Sequence, residues 1–127
     1  MKEYEVKVDF SIVLTQEDID DLMVTSLEGG VTACWCSECE VVGDYLGEYA
    51  SEQISRGGSL IFHDAESDDK WELTLEKLLN GVKLWYESGY DRYGAVQPNG
   101  KINFCNIDAV IADMIVQFAL FGELVFG

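Results

Sequence analysis

Cys34, Cys36 and Cys39 put three thiols within six residues, and Cys36-x-x-Cys39 has the spacing of a zinc knuckle. Cys105 or His63 would complete a four-ligand set. A strong zinc signal has two separated Cys-x-x-Cys pairs, and the second pair is missing here. The favoured reading is therefore a set of free thiols packed as small hydrophobes. A second cluster is His63-Asp64-Ala65-Glu66-Ser67-Asp68-Asp69. Asp64, Glu66 and Asp68 alternate like the front of a calcium loop, since a hard cation wants several oxygen ligands. The sixth position is Asp69 where that loop needs Gly, and the twelfth is Leu75 where it needs Glu. A solvated hairpin turn explains the same residues. His63, the one histidine, stands beside Asp64 and has the makings of an oriented general base. No partner nucleophile can be placed near it, so an enzymatic, metal-dependent reading ranks third.

Two further groups suit binding rather than catalysis. Tyr90, Arg92 and Tyr93, with Arg56, are residues that stack on a base and grip a phosphate. The acids Glu17, Asp18, Asp20 and Asp21, followed by Glu38, Glu40, Asp44, Glu48 and Glu52, have few basic neighbours in sequence. On a helix, Glu17, Asp20 and Asp21 share a flank. Such a surface resembles a phosphate backbone; it also serves plain solvation. Gly29-Gly30 and Gly57-Gly58 match no phosphate-loop pattern and read as helix stops.

The acids dominate the whole chain. Eight Lys and Arg stand against 24 Asp and Glu, a net charge of −16 over 127 residues. That balance disfavours direct contact with nucleic acids and anionic membranes and favours a basic partner. Yet 48% of the residues are hydrophobic, which excludes disorder driven by charge and places a core inside an acidic shell. No apolar run reaches the roughly 18 residues of a membrane span, and the charged start does not read as a signal peptide. The expected setting is a reducing cytoplasm with thiols unpaired.

The elements that must hold these residues follow from periodicity. Even-numbered apolar residues from Tyr4 to Leu14 predict a half-buried strand. Thr15, with acids behind it, caps a helix carrying Ile19, Leu22 and Met23, which Gly29-Gly30 should end. Residues 31–48 fit either a strand or a buried loop. A short helix over 48–56 and a hairpin over 59–73 come next. Thr74 caps a helix with Leu75, Leu78, Leu79, Val82, Trp85 and Tyr86 as its apolar stripe, closed by Gly89. Pro98-Asn99-Gly100 marks a turn. Asn106 or Asp108 opens a last helix so apolar that it belongs in the core, with Asp113 its one interior charge. The expected architecture is a single α+β domain over 1–127: a small antiparallel or mixed sheet packed on one face by two or three helices. The apolar tail from Phe118 to Phe126 either docks on that core or forms a homodimer face, with the dimer favoured.

Four stretches (15–30, 45–58, 64–85 and 106–127) together resemble a group of small acidic proteins of Firmicutes phages and mobile elements. They include Thr15-Gln-Glu-Asp-Ile-Asp-Asp-Leu-Met and Tyr45-Leu-Gly-Glu-Tyr-Ala-Ser-Glu-Gln-Ile-Ser-Arg-Gly-Gly58. The resemblance implies a setting, inhibition of host defence being one example, and transfers no site residue. The leading expectation is a non-enzymatic protein that engages a basic, nucleic-acid-binding surface of a host protein by charge mimicry. The alternative is a sequestering protein for a small molecule or nucleotide signal, with neither zinc nor calcium required.

Overall fold

Thr15 sets the first helix by a capping box: its hydroxyl accepts from the Asp18 N–H at 3.1 Å, and the Asp18 carboxylate accepts from the Thr15 N–H at 2.9 Å. The structure, a computed structural model, describes Tyr4 and residues 10–126. Helix α1 (Gln16–Thr25) does not stop at Gly29-Gly30. It widens into a π turn, Ser26–Gly30, and continues as a single turn, α2 (Val31–Cys34). Gly30 serves a close approach instead. A Cβ on Gly30 would lie 3.0 Å from the Ala109 carbonyl oxygen, and one on Gly29 3.6 Å from the Ala109 Cβ.

Three antiparallel strands follow in the order β1 (Cys36–Val41), β2 (Leu60–Asp64) and β3 (Lys70–Leu73). The hairpin expected over 59–73 is β2–β3, with Leu60 opposite Leu73 and Phe62 opposite Trp71. Strand β1 occupies part of the stretch left open between strand and loop. A register shift between Cys36 and Glu38 breaks its period of two. Directly opposed residues share a face. Cys39, Phe62 and Trp71 therefore face inward, while Glu38, His63 and Lys70 face outward. The helix expected over 48–56 shrinks to a 3₁₀ turn, Ala50–Glu52, and Gly57 ends that region with φ +88°.

Helix α3 (Leu75–Glu87) starts on a Thr74 cap and is followed by Gly89 at φ +81°. Helix α4 (Ala109–Phe121) starts on Asp108, whose side chain accepts from the Ile111 N–H. All residues from Ile111 to Ala119 are buried, which makes α4 the centre of the core. Leu22, Met23, Ile54, Phe62, Leu78 and Trp85 are fully buried around it. Each such side chain contributes roughly 1.5–3 kcal/mol through burial. The result is an α+β fold. Most of the strand expected over 3–14 lies outside the described residues. Its described end, 10–14, joins no strand among them and is tied to the 97–100 turn by the Val13 N–H on the Gly100 carbonyl at 2.8 Å.

Candidate functional site

The first candidate is the acidic surface formed by α1 and the loop before the 3₁₀ turn. Buried Gln53 shapes that loop. Its amide nitrogen donates to the carbonyls of Val42 and Asp44, and its amide oxygen accepts from the Leu46 N–H. The Glu52 carboxylate accepts from the Glu48 and Tyr49 N–H groups. These bonds, foremost the one from Tyr49, hold its pKa below the ordinary carboxylate value, with Arg56 adding to the effect. Arg56 lies 3.8 Å from Asp20 and 3.3 Å from Glu52, and the Ser55 hydroxyl donates to Asp20. The one cation the described residues place between α1 and this loop is thus already shared by two carboxylates. Glu17, Asp21, Asp44 and Glu48 are exposed and have no cationic partner among the described residues.

Two acids expected on that surface have other duties. Asp18 is half-buried and spent in the capping box, and Asp20 is paired with Arg56. Sequence neighbours alone made α1 look bare of cations; Arg56 comes from a separate segment. Glu38 and Glu40 lie on the outer sheet face, where Ile61 sits between Glu40 and Glu72 in register.

The candidate metal sets do not assemble among the described residues. Among the described residues, no three His, Cys, Asp or Glu side chains gather to hold an ion. Cys34 is exposed at the end of α2, whereas Cys36 is buried at the start of β1, with its thiol donating to the Glu38 carbonyl. Burial pushes the Cys36 thiol up, and it pushes Cys39 up to about 12, helped by the nearby charges of Cys36 and Glu38. Cys105 is exposed on a 3₁₀ turn, Phe104–Asn106. Asp64 closes the hairpin turn instead of ligating: its oxygens accept from the Glu66 N–H at 3.0 Å and the Ser67 hydroxyl at 2.9 Å. Glu66 and Asp68 are exposed on that turn. Asp64 therefore does not orient His63. His63 Nε2 sits 3.6 Å from Glu40 Oε1, too far for a hydrogen bond.

The residues expected to grip a nucleotide are dispersed. Arg56 belongs to the acidic surface, Tyr90 packs its ring 5.7 Å from Phe118, and Tyr93 is exposed. Arg92 alone lines a cavity of about 510 Å³ between α2, α4 and the C-terminal tail. The walls include Val110, Met114, Leu124 and Val125, and Asp113 and Gln117 add polar lining. Asp113 is 7% exposed. Its carboxylate accepts from Trp35 Nε1 at 2.7 Å and from the Gln117 side-chain amide at 3.1 Å.

Gln117 also fixes the tail. Its oxygen accepts from the Val125 and Phe126 N–H groups, and its nitrogen donates to the Phe126 carbonyl. Gly122, at φ +75°, turns the chain so that the Phe126 ring stacks on Trp35 at 5.0 Å, with Phe121 and Trp71 edge-on around it. The tail thus docks on its own core. Phe121 and Phe126 thereby pack against Trp35 and Trp71 within the chain. Sequence reasoning missed Gln53, Asp113 and Gln117 as organisers. Only Asp113 left a signal, as a lone charge inside an otherwise apolar helix.

No family model matches the chain, and no curated protein or solved structure is significantly similar to it. Among the described residues, no helix is long and apolar enough to cross a membrane.

Proposed function

We propose that this is a non-enzymatic binding protein that presents its acidic α1 and 44–48 surface to a basic, nucleic-acid-binding face of a partner protein. One observation carries the reading. Glu17, Asp21, Asp44 and Glu48 are exposed without a cationic partner among the described residues, while the local Arg56 is already shared by Asp20 and Glu52. Exposed carboxylates without local counter-charges leave a negative potential, and a basic surface supplies the missing cations on contact. Gln53 and Glu52 fix the loop backbone before any partner arrives, which lowers the ordering cost of binding. The four free cysteines suit a reducing cytoplasm, the compartment where such a partner would be met. The resemblance to phage and mobile-element proteins suggests a host defence complex as the partner.

The test is affinity capture from a bacterial lysate at low and high salt, with and without added duplex DNA. The reading expects a basic nucleic-acid-binding protein that is retained at low salt, released at high salt and displaced by DNA. Capture that is insensitive to both salt and DNA would count against it.

A further inference from the structure

The cavity between α2, α4 and the tail contains a feature that the acidic surface does not explain. Asp113 is a buried carboxylate with no cationic side chain within ion-pair distance among the described residues. Burying a charge without a partner is costly, and two hydrogen bonds from neutral donors offset only part of that cost. Each Asp113 oxygen accepts one bond, from Trp35 Nε1 and from the Gln117 amide. A carboxylate oxygen has capacity for a second. The residue also lines a space of about 510 Å³, within the usual size range of small-molecule sites. Apolar side chains, Val110, Met114, Leu124 and Val125, supply most of the wall. Arg92 is exposed and also lines the cavity, yet forms no ion pair with Asp113.

We propose that this cavity binds a small organic ammonium compound, its cationic head on the Asp113 carboxylate and its apolar body along Val110, Met114 and Leu124. A charged donor supplies what Trp35 and Gln117 lack, and a charge-assisted bond is about twice as strong as a neutral one. The apolar wall selects a hydrocarbon body over a hydrated inorganic cation, which would have to shed its water. The fixed geometry of Trp35, Asp113 and Gln117 prepares the acceptor in advance. Gln117 binds the tail as well as Asp113, so occupancy of the cavity is coupled to seating of Val125 and Phe126.

The experiment is an NMR titration of the full chain with hexylamine, hexanol and hexanoate at 0.3 M salt, which suppresses loose attraction to the acidic surface. Hexylamine is expected to saturate with shifts centred on α2, α4 and the tail, binding at least tenfold tighter than the two controls. Asp113→Asn should weaken it at least tenfold, while Glu76→Gln, which removes an exposed charge at the start of α3, away from the cavity, should leave it unchanged. Should Asp113→Asn fail to fold, Val110→Trp decides, because this residue is 62% exposed at the cavity wall and a large ring there blocks entry. Equal binding of hexanol or hexanoate, undiminished binding by the folded variant, or no saturation by 10 mM hexylamine would overturn the proposal.

Discussion

Replacing Gly81 with Ala pits two effects of opposite sign against each other. Gly81 lies inside α3, where Ala is the better helix former by about 1 kcal/mol. On propensity alone the variant should be stabilised. The packing says otherwise. A Cβ at Gly81 would stand 2.7 Å from the Ala119 Cβ, 2.7 Å from the Ile115 carbonyl oxygen and 2.8 Å from the Ala119 nitrogen. These are backbone atoms and a methyl fixed to the backbone of α4, so no rotamer change makes room. The helices must move apart, and overpacking of this kind costs roughly 1–3 kcal/mol or more. The rigid contacts place the penalty at about 3 kcal/mol. Net destabilisation of about 2 kcal/mol is expected, which is a fall in Tm of roughly 8 °C for a domain of this size. Urea unfolding followed by circular dichroism at 25 °C gives the free energy directly. A variant as stable as the parent, or more stable, would refute the close α3–α4 crossing on which the central position of α4 depends.

Gln117→Leu keeps the volume but removes every side-chain bond to the tail. It should lower stability by about 2–3 kcal/mol, expose the 122–126 segment to carboxypeptidase and change Trp35 fluorescence as Phe126 leaves. The Cys39 thiol rises from 9.0 to about 12 in the folded state. Its contribution is therefore complete below pH 9 and declines above it, as the unfolded chain ionises while the folded chain keeps its proton. The loss should be about 1 kcal/mol per pH unit above pH 9, and unfolding curves of Cys39→Ala against the parent across pH 8–10.5 should isolate it. At pH 8, mass spectrometry after iodoacetamide should find the exposed Cys34 and Cys105 labelled well before Cys36 and Cys39. Uniform labelling would mean that β1 does not bury its inward face.

Local signals read well because their causes are local. Thr15 and Thr74 cap helices through their own hydroxyls, and the β2–β3 hairpin shows its alternation in a single short run. Long-range causes were not legible. Gly29-Gly30 looks like a stop, but Gly30 admits the Ala109 backbone from a distant segment of the chain. Strand β1 shows Cys36, Cys39 and Val41 at uneven spacing because a register shift interrupts it. The acids of α1 seemed unopposed because Arg56 reaches Asp20 only through the fold. For the same reason the candidate cavity was invisible. Cys34, Arg92, Asp113 and Phe126 meet there from four separated segments, and Gln117, which joins Asp113 to the tail, has no local pattern to mark it.

The central claim is that a particular patch, and not the total charge, meets the partner. Two variants with equal net charge separate these ideas. One carries Glu17→Gln, Asp21→Asn, Asp44→Asn and Glu48→Gln on the proposed surface. The other carries Glu66→Gln, Asp68→Asn, Asp69→Asn and Glu76→Gln, all exposed on the hairpin turn and the start of α3. Affinity for the captured basic partner is measured by calorimetry at 0.15 M salt. The account predicts a loss of at least thirtyfold for the first variant and less than threefold for the second, since charges at a contact act within the ~8 Å Debye length. Equal losses would mean that the acids act only as bulk charge, and the proposed surface would be contradicted.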